Sequence, residues 1–467
     1  MHFYFNKLGL LDQVDLELAD LTLICGENNT GKTYATYAIY GFMRSWRQIL
    51  RVVLEDEIDD LLKDANQYRI DIVQMFDGKV DSYLQRMGEL YIMGLPRAFA
   101  TENNVFENTV CVPRTCRATD ITAQSYQRTV QAGASGKVLA TLKKDAGSNL
   151  LDVLVADTDV LQRPFGNLTA FIADAIADIV FAQHLPRMHI ASAERTGAAI
   201  FRKELDMART RMLKAINQID SKELKRNPFK ILQEIDTGYA WPVEDNVDFV
   251  RQLEDIDKLT GELAADHPEL VEVFDAIIGG SYKVVKQQLV FQAKGTGKQR
   301  FTMNEASSGI RALLDVGFYL RCKARAGDLF IIDEPELNLH PKNQRAFARL
   351  VARMVNAGIK VFITTHSDYL VKELNTLIML NQGTEHTRSV QQEYGYDDAE
   401  LLDPARVRLY MTCVTTKPAT GIGRRSKIRT LKLAKIYCDR GIEVETFDDT
   451  IETMNTIQGK ILYGGEF

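Results

Sequence analysis

The chain has 467 residues, 57 Lys+Arg against 63 Asp+Glu, a formal net charge of −6 and 45% hydrophobic residues. Those proportions fit a folded soluble protein of about three domains, or one core with large insertions, and exclude collagen-like and long disordered tracts. No run approaches the ~18 apolar residues of a membrane span, and Asp12 and Asp15 fall where a signal peptide keeps its apolar stretch, so a cytoplasmic protein is expected.

In chain order, His2-Phe3-Tyr4-Phe5 and Val14 to Leu18 alternate as an antiparallel pair of strands broken near Gly9, and Leu21–Cys25 reads as a buried strand. From Lys32 to about Arg51 the period is helical, and 52–95 continues as acidic amphipathic helices. Short strands are expected at 108–113, 125–131, 136–144 and 149–156, separated by turns such as Ala132 to Gly136. A helix at 167–184 precedes a strand at 187–191 and a loop from Ser192 to Gly197. Residues 198–278 are mostly helical, interrupted near Asn227-Pro228 and Trp241-Pro242, with no long heptad run. A hairpin turning around Gly295-Thr296-Gly297 fits 281–303. After 309 the order helix, strand 329–332, helix 342–356, strand 359–364, helix 368–375 predicts a parallel sheet with crossover helices. The six cysteines, Cys25, Cys111, Cys116, Cys322, Cys413 and Cys438, form no CxxC pair, so neither a disulfide framework nor a zinc site is expected.

Gly26-Glu27-Asn28-Asn29-Thr30-Gly31-Lys32-Thr33 matches G-x-x-x-x-G-K-[ST] between an apolar strand and a helix. Its glycines let backbone amides curl around phosphate oxygens at a helix N-terminus. Lys32 would reach the β- and γ-phosphates of ATP, and the Thr33 hydroxyl would ligate Mg²⁺. Leu329-Phe330-Ile331-Ile332 ends in Asp333-Glu334-Pro335, a buried strand delivering two acids to the sheet edge where ligands of α/β folds bind. Asp333 is the candidate Mg²⁺ residue and Glu334 the group that polarises the attacking water. His366, straight after strand 359–364, reads as a γ-phosphate sensor. Ser307-Ser308-Gly309 opens a helix and offers hydroxyls and amides to an anion.

In this order the four motifs resemble an ABC-class ATPase head. The run Asp333-Glu334-Pro335-Glu336-Leu337-Asn338-Leu339-His340-Pro341 is similar to soluble, OLD-like members, with His340 in the place of the D-loop Asp. Ser307, Ser308, Gly309 and Ile310 stand where the family signature has Ser-Gly-Gly-Gln. The stretch Ile190 to Gly197, with Ala193-Glu194-Arg195-Thr196 inside it, resembles a Glu-Arg segment of that group, which leaves two readings for Arg195: a structural ion pair, or an approach to the nucleotide or the partner protomer. The fold implied is α/β, an ABC-type head with a mixed/parallel sheet, an antiparallel β subdomain and a helical insertion. Residues 1–50 and 280–390 would form the discontinuous ATPase core. Residues 51–279 would be an insertion from which 186–197 returns to the core, and 391–467 a basic α/β segment for docking a partner. The resemblance further implies two heads sandwiching two ATPs, with Ser307, Ser308 and Gly309 acting in trans, and slow turnover by an isolated head.

About a hundred residues follow His366, and Asp397, Asp398, Asp448 and Asp449 among them do not make the acidic pattern of a Toprim nuclease domain. A nuclease, if involved, is expected as a separate polypeptide. The layout resembles ATPase subunits of bacterial anti-phage systems such as PARIS and Septu, which implies a homo-oligomer, a nuclease effector subunit and a phage-encoded trigger protein as partners. A DNA-repair ATPase that clamps DNA directly is the alternative. Residues 415–440, with Lys417, Arg424, Arg425, Lys427, Arg429, Lys432, Lys435 and Arg440 against Asp439, carry a local charge of +7, suited to DNA, an acidic phage protein or an acidic subunit, or to a solvated face.

Overall fold

The computed structural model describes residues 1–62, 68–116, 120–132, 137–155, 168–201, 238–286, 288–295, 297, 299–417, 426–443 and 453–461. The break at Asn227-Pro228, the Ala132–Gly136 turn beyond its first residue, and Arg424, Arg425, Asp448 and Asp449 lie outside them. The chain divides into two compact units: Met1–Glu17, Ala38–Pro96 and Thr101–Arg187 form one, and Leu18–Tyr37, Arg97–Ala100 and Met188–Phe467 the other.

In the first unit, strand His2–Leu8 pairs antiparallel with Leu11–Glu17 on one side and Val110–Arg114 on the other. Alternation drives this: Phe3, Phe5, Val14 and Leu16 are buried on one face. A separate four-stranded antiparallel sheet is ordered Tyr68–Asp71, Leu150–Val155, Lys137–Lys144, Tyr126–Ala132. Its first strand falls where amphipathic helices were expected. Four residues carry too little local pattern, and their partner, with Ile70 opposite Leu151, lies far along the chain. The helix beginning at Lys32 extends to Leu62, well beyond the expected Arg51. It meets no proline, and its one glycine, Gly41, is passed without a break. The helix at 168–181 finishes as a π-turn over Ala177–Phe181.

In the second unit, strands run in the order Ser426–Leu433, Val407–Lys417, Leu21–Cys25, Lys360–Thr365, Leu329–Asp333, Met188–Ala191. All neighbours are parallel except the outer pair Ser426–Leu433 and Val407–Lys417. The expected parallel sheet with crossover helices is present, the helices being Pro341–Asn356 and Asp368–Leu380. The inner strands Leu21–Cys25, Lys360–Thr365 and Leu329–Asp333 are buried almost residue for residue and mostly apolar, as central strands of a parallel sheet are. Residues 281–303 fold into two turns rather than one: Gly280–Val285 pairs with Gln288–Ala293, and Phe301–Thr302 with Val290 and Phe291. Lys286 takes the positive φ (50°) of the first turn, a conformation its sequence does not advertise.

Candidate functional site

Parallel strands bring their C-terminal ends to one edge of the second unit's sheet, and the motif residues arrive there together. Cys25 ends one strand and the phosphate-type loop follows. Gly26 (φ 149°) and Gly31 (φ 101°) adopt backbone angles that side chains resist, and Asn29 sits at φ 60°. A Cβ at Gly26 would collide with the Thr412 side chain. Glu27, Asn28 and Asn29 are exposed, whereas Lys32 is 6% exposed. The Lys32 ammonium donates to the carbonyls of Gly26 (3.0 Å) and Glu27 (2.8 Å). Burial lowers its pKa, opposed by the nearby charges of Glu334 and Asp333. A buried cation whose hydrogen-bonding acceptors are neutral, under a loop of convergent amides, is chemically matched to a phosphate. Thr33 is exposed at the start of the helix.

Asp333 ends the strand Leu329–Asp333, on the far side of Lys360–Thr365, and is 3% exposed and hydrogen-bonded by the Thr364 hydroxyl. Burial pushes its carboxyl up to about 6, with the Glu334 and Glu194 charges acting the same way and Thr364 and Arg195 against it. A carboxylate and an exposed threonine hydroxyl are hard oxygen donors suited to Mg²⁺. Among the described residues no group of three or more His, Cys, Asp or Glu could hold a metal by itself, so phosphate oxygens would have to complete the shell.

Glu334 is a non-glycine residue at φ 49°. Its amide donates to the Thr364 carbonyl (3.1 Å) and hydroxyl (3.2 Å), and its carbonyl accepts from Arg195. The His366 ring nitrogen Nε2 lies 3.2 Å from Glu334 Oε1. That hydrogen bond holds the Glu334 carboxyl below its ordinary value against the effect of burial, leaving it an ionised acceptor. The backbone amide of His366 donates to Glu336 Oε1 at 2.6 Å, which orients the loop after the strand. Glu334, His366, Asp333 and Lys32 thus share one edge.

Of the two readings for Arg195 the fold realises the structural one, with main-chain oxygens in place of an acid partner. It is 1% exposed, and its guanidinium donates to four main-chain oxygens: Ala312 (2.7 Å), Ser192 (2.9 Å), Asp333 (2.6 Å) and Glu334 (2.7 Å). It is an internal brace behind the acids. Ser307 is the N-cap of the helix Ser308–Ala312, and both serines are exposed. Gly309 lies against the Asn338 carbonyl, 2.9 Å from where a Cβ would be. His340 caps the Pro341–Asn356 helix, its ring nitrogen accepting from the Lys342 amide at 3.2 Å.

Sequence reasoning missed several contributors. Thr412 donates to the Thr30 hydroxyl (2.8 Å), which donates to the Glu27 carbonyl (2.7 Å), bracing the phosphate loop from a strand near the other end of the chain. Thr364 was visible only as a polar residue in an apolar strand. Behind Arg195 a buried chain runs from Ser192 through Asn246 to Asp315, with Asn246 Nδ2 donating to Asp315 at 2.7 Å, and burial raises the Asp315 pKa.

The AAA_15 family profile, described as AAA ATPase domain, matches residues 8–371. No curated protein matches. Solved structures that align include an Smc head bound to the C-winged helix domain of ScpA, at 12% identity over 92% of this chain and 97% of that one, TM-score 0.32. An Smc head domain with extended coiled coil bound to the C-terminal domain of ScpA, from Pyrococcus furiosus, aligns at 11% identity over 98% of each chain, TM-score 0.31. The SMC head domain from Thermotoga maritima aligns at 10% identity over 93% and 98%, TM-score 0.30.

Proposed function

The chain belongs to the AAA_15 family of AAA ATPase domains, and from that premise we propose that it is an ABC-type ATPase whose nucleotide state controls a separate effector. The observation that carries the reading is the arrival of Lys32, Asp333, Glu334 and His366 at one sheet edge, with Glu334 ionised and bonded to His366. Lys32 and the loop Gly26–Thr33 would bind the phosphates, Glu334 would orient and deprotonate the attacking water, and His366 would contact the γ-phosphate. Thr33 and Asp333 would hold Mg²⁺, which when bound neutralises charge on the phosphate oxygens. The exposed Ser307 and Ser308 support a sandwich in which one protomer's Ser307-Ser308-Gly309 turn completes its partner's site, making turnover dependent on self-association.

The wider reading is an OLD-like ATPase similar to the AriA subunit of PARIS, with the PtuA subunit of Septu the less favoured relative. It would be a homo-oligomer that restrains a Toprim-type nuclease and responds to a phage protein. The basic segment supplies a docking surface: Lys427 and Arg429 are exposed on the strand Ser426–Leu433. ATP turnover by the purified chain, lost in Lys32→Ala and Glu334→Gln, tests the enzyme. Co-purification with the product of a neighbouring nuclease gene tests the partnership. ATP-strengthened, salt-sensitive binding of duplex DNA without such a partner would replace that partnership by the DNA-clamping alternative.

A further inference from the structure

Glu334 sits at a positive φ of 49° that disfavours a non-glycine residue, and such a residue persists only where its surroundings over-determine it. Its two peptide neighbours are pinned from opposite sides. Thr364 accepts the amide hydrogen, and Arg195 Nη2 donates to the carbonyl at 2.7 Å. The same guanidinium, through Nε, donates to the carbonyl of Ala312 at 2.7 Å. Ala312 ends the short helix opened by Ser307 and Ser308. A planar fork with fixed donor angles cannot follow one carbonyl without moving the other. A second tie runs beside it: Gly309 rests on Asn338, in the loop that follows Glu334, with no room for a side chain. The Tyr282 hydroxyl further fixes the turn by donating to the Ile310 carbonyl at 2.5 Å.

We propose that Arg195 is a positioning residue that joins the serine turn to the catalytic carboxylate of the same protomer, so that hydrolysis at paired sites is cooperative. The inference rests on the sandwich reading, in which the serine turn serves the partner's nucleotide while Glu334 serves its own. Contact at the turn displaces Ala312, the guanidinium transmits the displacement to the Glu334 carbonyl, and the strained peptide changes how its side chain meets His366. Asp315 supplies the buried counter-charge that keeps the cation in place, its own pKa raised by burial and lowered by Arg195. Each site then reports its occupancy to the other through atoms of one chain.

Arg195→Lys keeps the charge but replaces the fork by a compact ammonium that cannot span Ala312 and Glu334. ATP turnover against ATP concentration is measured for both proteins, with thermal melting as the folding control. The expected result is a Hill coefficient above 1 for the unaltered chain that falls to 1 in Arg195→Lys, with kcat at least tenfold lower and KM within about twofold. Gly309→Ala sets a methyl against the Asn338 carbonyl and shifts the short helix that carries Ala312, so it should lower the Hill coefficient as well, and it decides the matter if Arg195→Lys does not fold. An unaltered chain with a Hill coefficient of 1 overturns the proposal, and so does a folded Arg195→Lys protein, or a Gly309→Ala protein, with unchanged cooperativity. Failure of the parent reading looks different: no ATP turnover at all, or no ATP-dependent self-association of Glu334→Gln by sedimentation.

Discussion

The loop after Asp333 and the loop after Cys25 leave the same sheet edge one strand apart, and they are held in opposite ways. Around Asp333 and Glu334 every main-chain group near the acids has a partner inside the fold: Thr364 on one side, Arg195 on the other, His366 at the carboxylate. Around Lys32 the loop is bonded largely to itself, with the ammonium on its own carbonyls, Thr412 on Thr30 as an outside tie, and Glu27 to Asn29 open to solvent. The acids are thus held by partners from other segments of the unit, so changes there are expected to register in the chemical step. Lys32 has its acceptors within its own loop, so changes there are expected to register in binding affinity.

That contrast can be broken in order of expected effect. Glu334→Gln should reduce turnover by about 10²–10⁴ while leaving the Kd for ATP within a few-fold, read by single-turnover kinetics and nucleotide titration. A matched loss of binding would mean that changes among the acids do not register in the chemical step alone. Lys32→Ala should weaken ATP binding by about 10–100-fold, the scale of a charge-assisted hydrogen bond, with turnover lost at ATP concentrations that saturate the unaltered chain.

Asp333 adds a pH test. Burial lifts its pKa to about 6 in the fold, above the ordinary 3.8 of an aspartate. The folded state therefore binds the proton more tightly than the unfolded one, so stability falls as pH rises from about 4 to about 6. Binding of Mg²⁺ with ATP needs the ionised form and should strengthen over the same interval, so melting temperature and Mg·ATP affinity move in opposite directions. Asp333→Asn should flatten both profiles, and parallel profiles would sink the assignment.

Thr412→Val removes one hydroxyl from the back of the phosphate loop. At about 1 kcal/mol for a neutral hydrogen bond, it should raise KM for ATP about fivefold with kcat unchanged, and Thr412→Ser should restore it. The smallest effect belongs to the charge-reversed pair Lys427→Glu and Arg429→Glu. ATP turnover of the isolated chain should stay within about twofold, while binding of an acidic partner or DNA is lost; unchanged binding removes the docking role.

The contrast also marks what could be read from the chain. Gly26 to Thr33, Asp333-Glu334 and His366 were legible because each chemistry sits in a contiguous motif beside an apolar strand, and the helix-strand alternation after 309 placed the acids and His366. The braces were not. Thr412 acts on Thr30 across 382 positions and Arg195 on Glu334 across 139, and a lone threonine or arginine carries no periodic signal. The resemblance around Arg195 leaves a structural role and a nucleotide- or partner-facing one open, and only complete burial and four carbonyl partners identify it as a brace. The strand Tyr68–Asp71 and the turn at Lys286 were missed for the related reason that pairing with distant chain, and a single positive φ, decide them.

The position of Leu21–Cys25 in the sheet bears on how the protein is made. It is among the first strands to be synthesised, yet its two neighbours are Lys360–Thr365 and Val407–Met411. Asp20, at its start, is clasped by Lys360 and Arg406, each at 2.8 Å. A nascent chain stopped after Asp403 already contains all the nucleotide motifs but lacks the strand that flanks Cys25 and the hydroxyl that braces Thr30. Contacts of such sequence separation form slowly and late. The ATP site is therefore one of the last parts of the molecule to mature, and a growing chain on the ribosome carries the code for ATP hydrolysis well before it has the architecture for it.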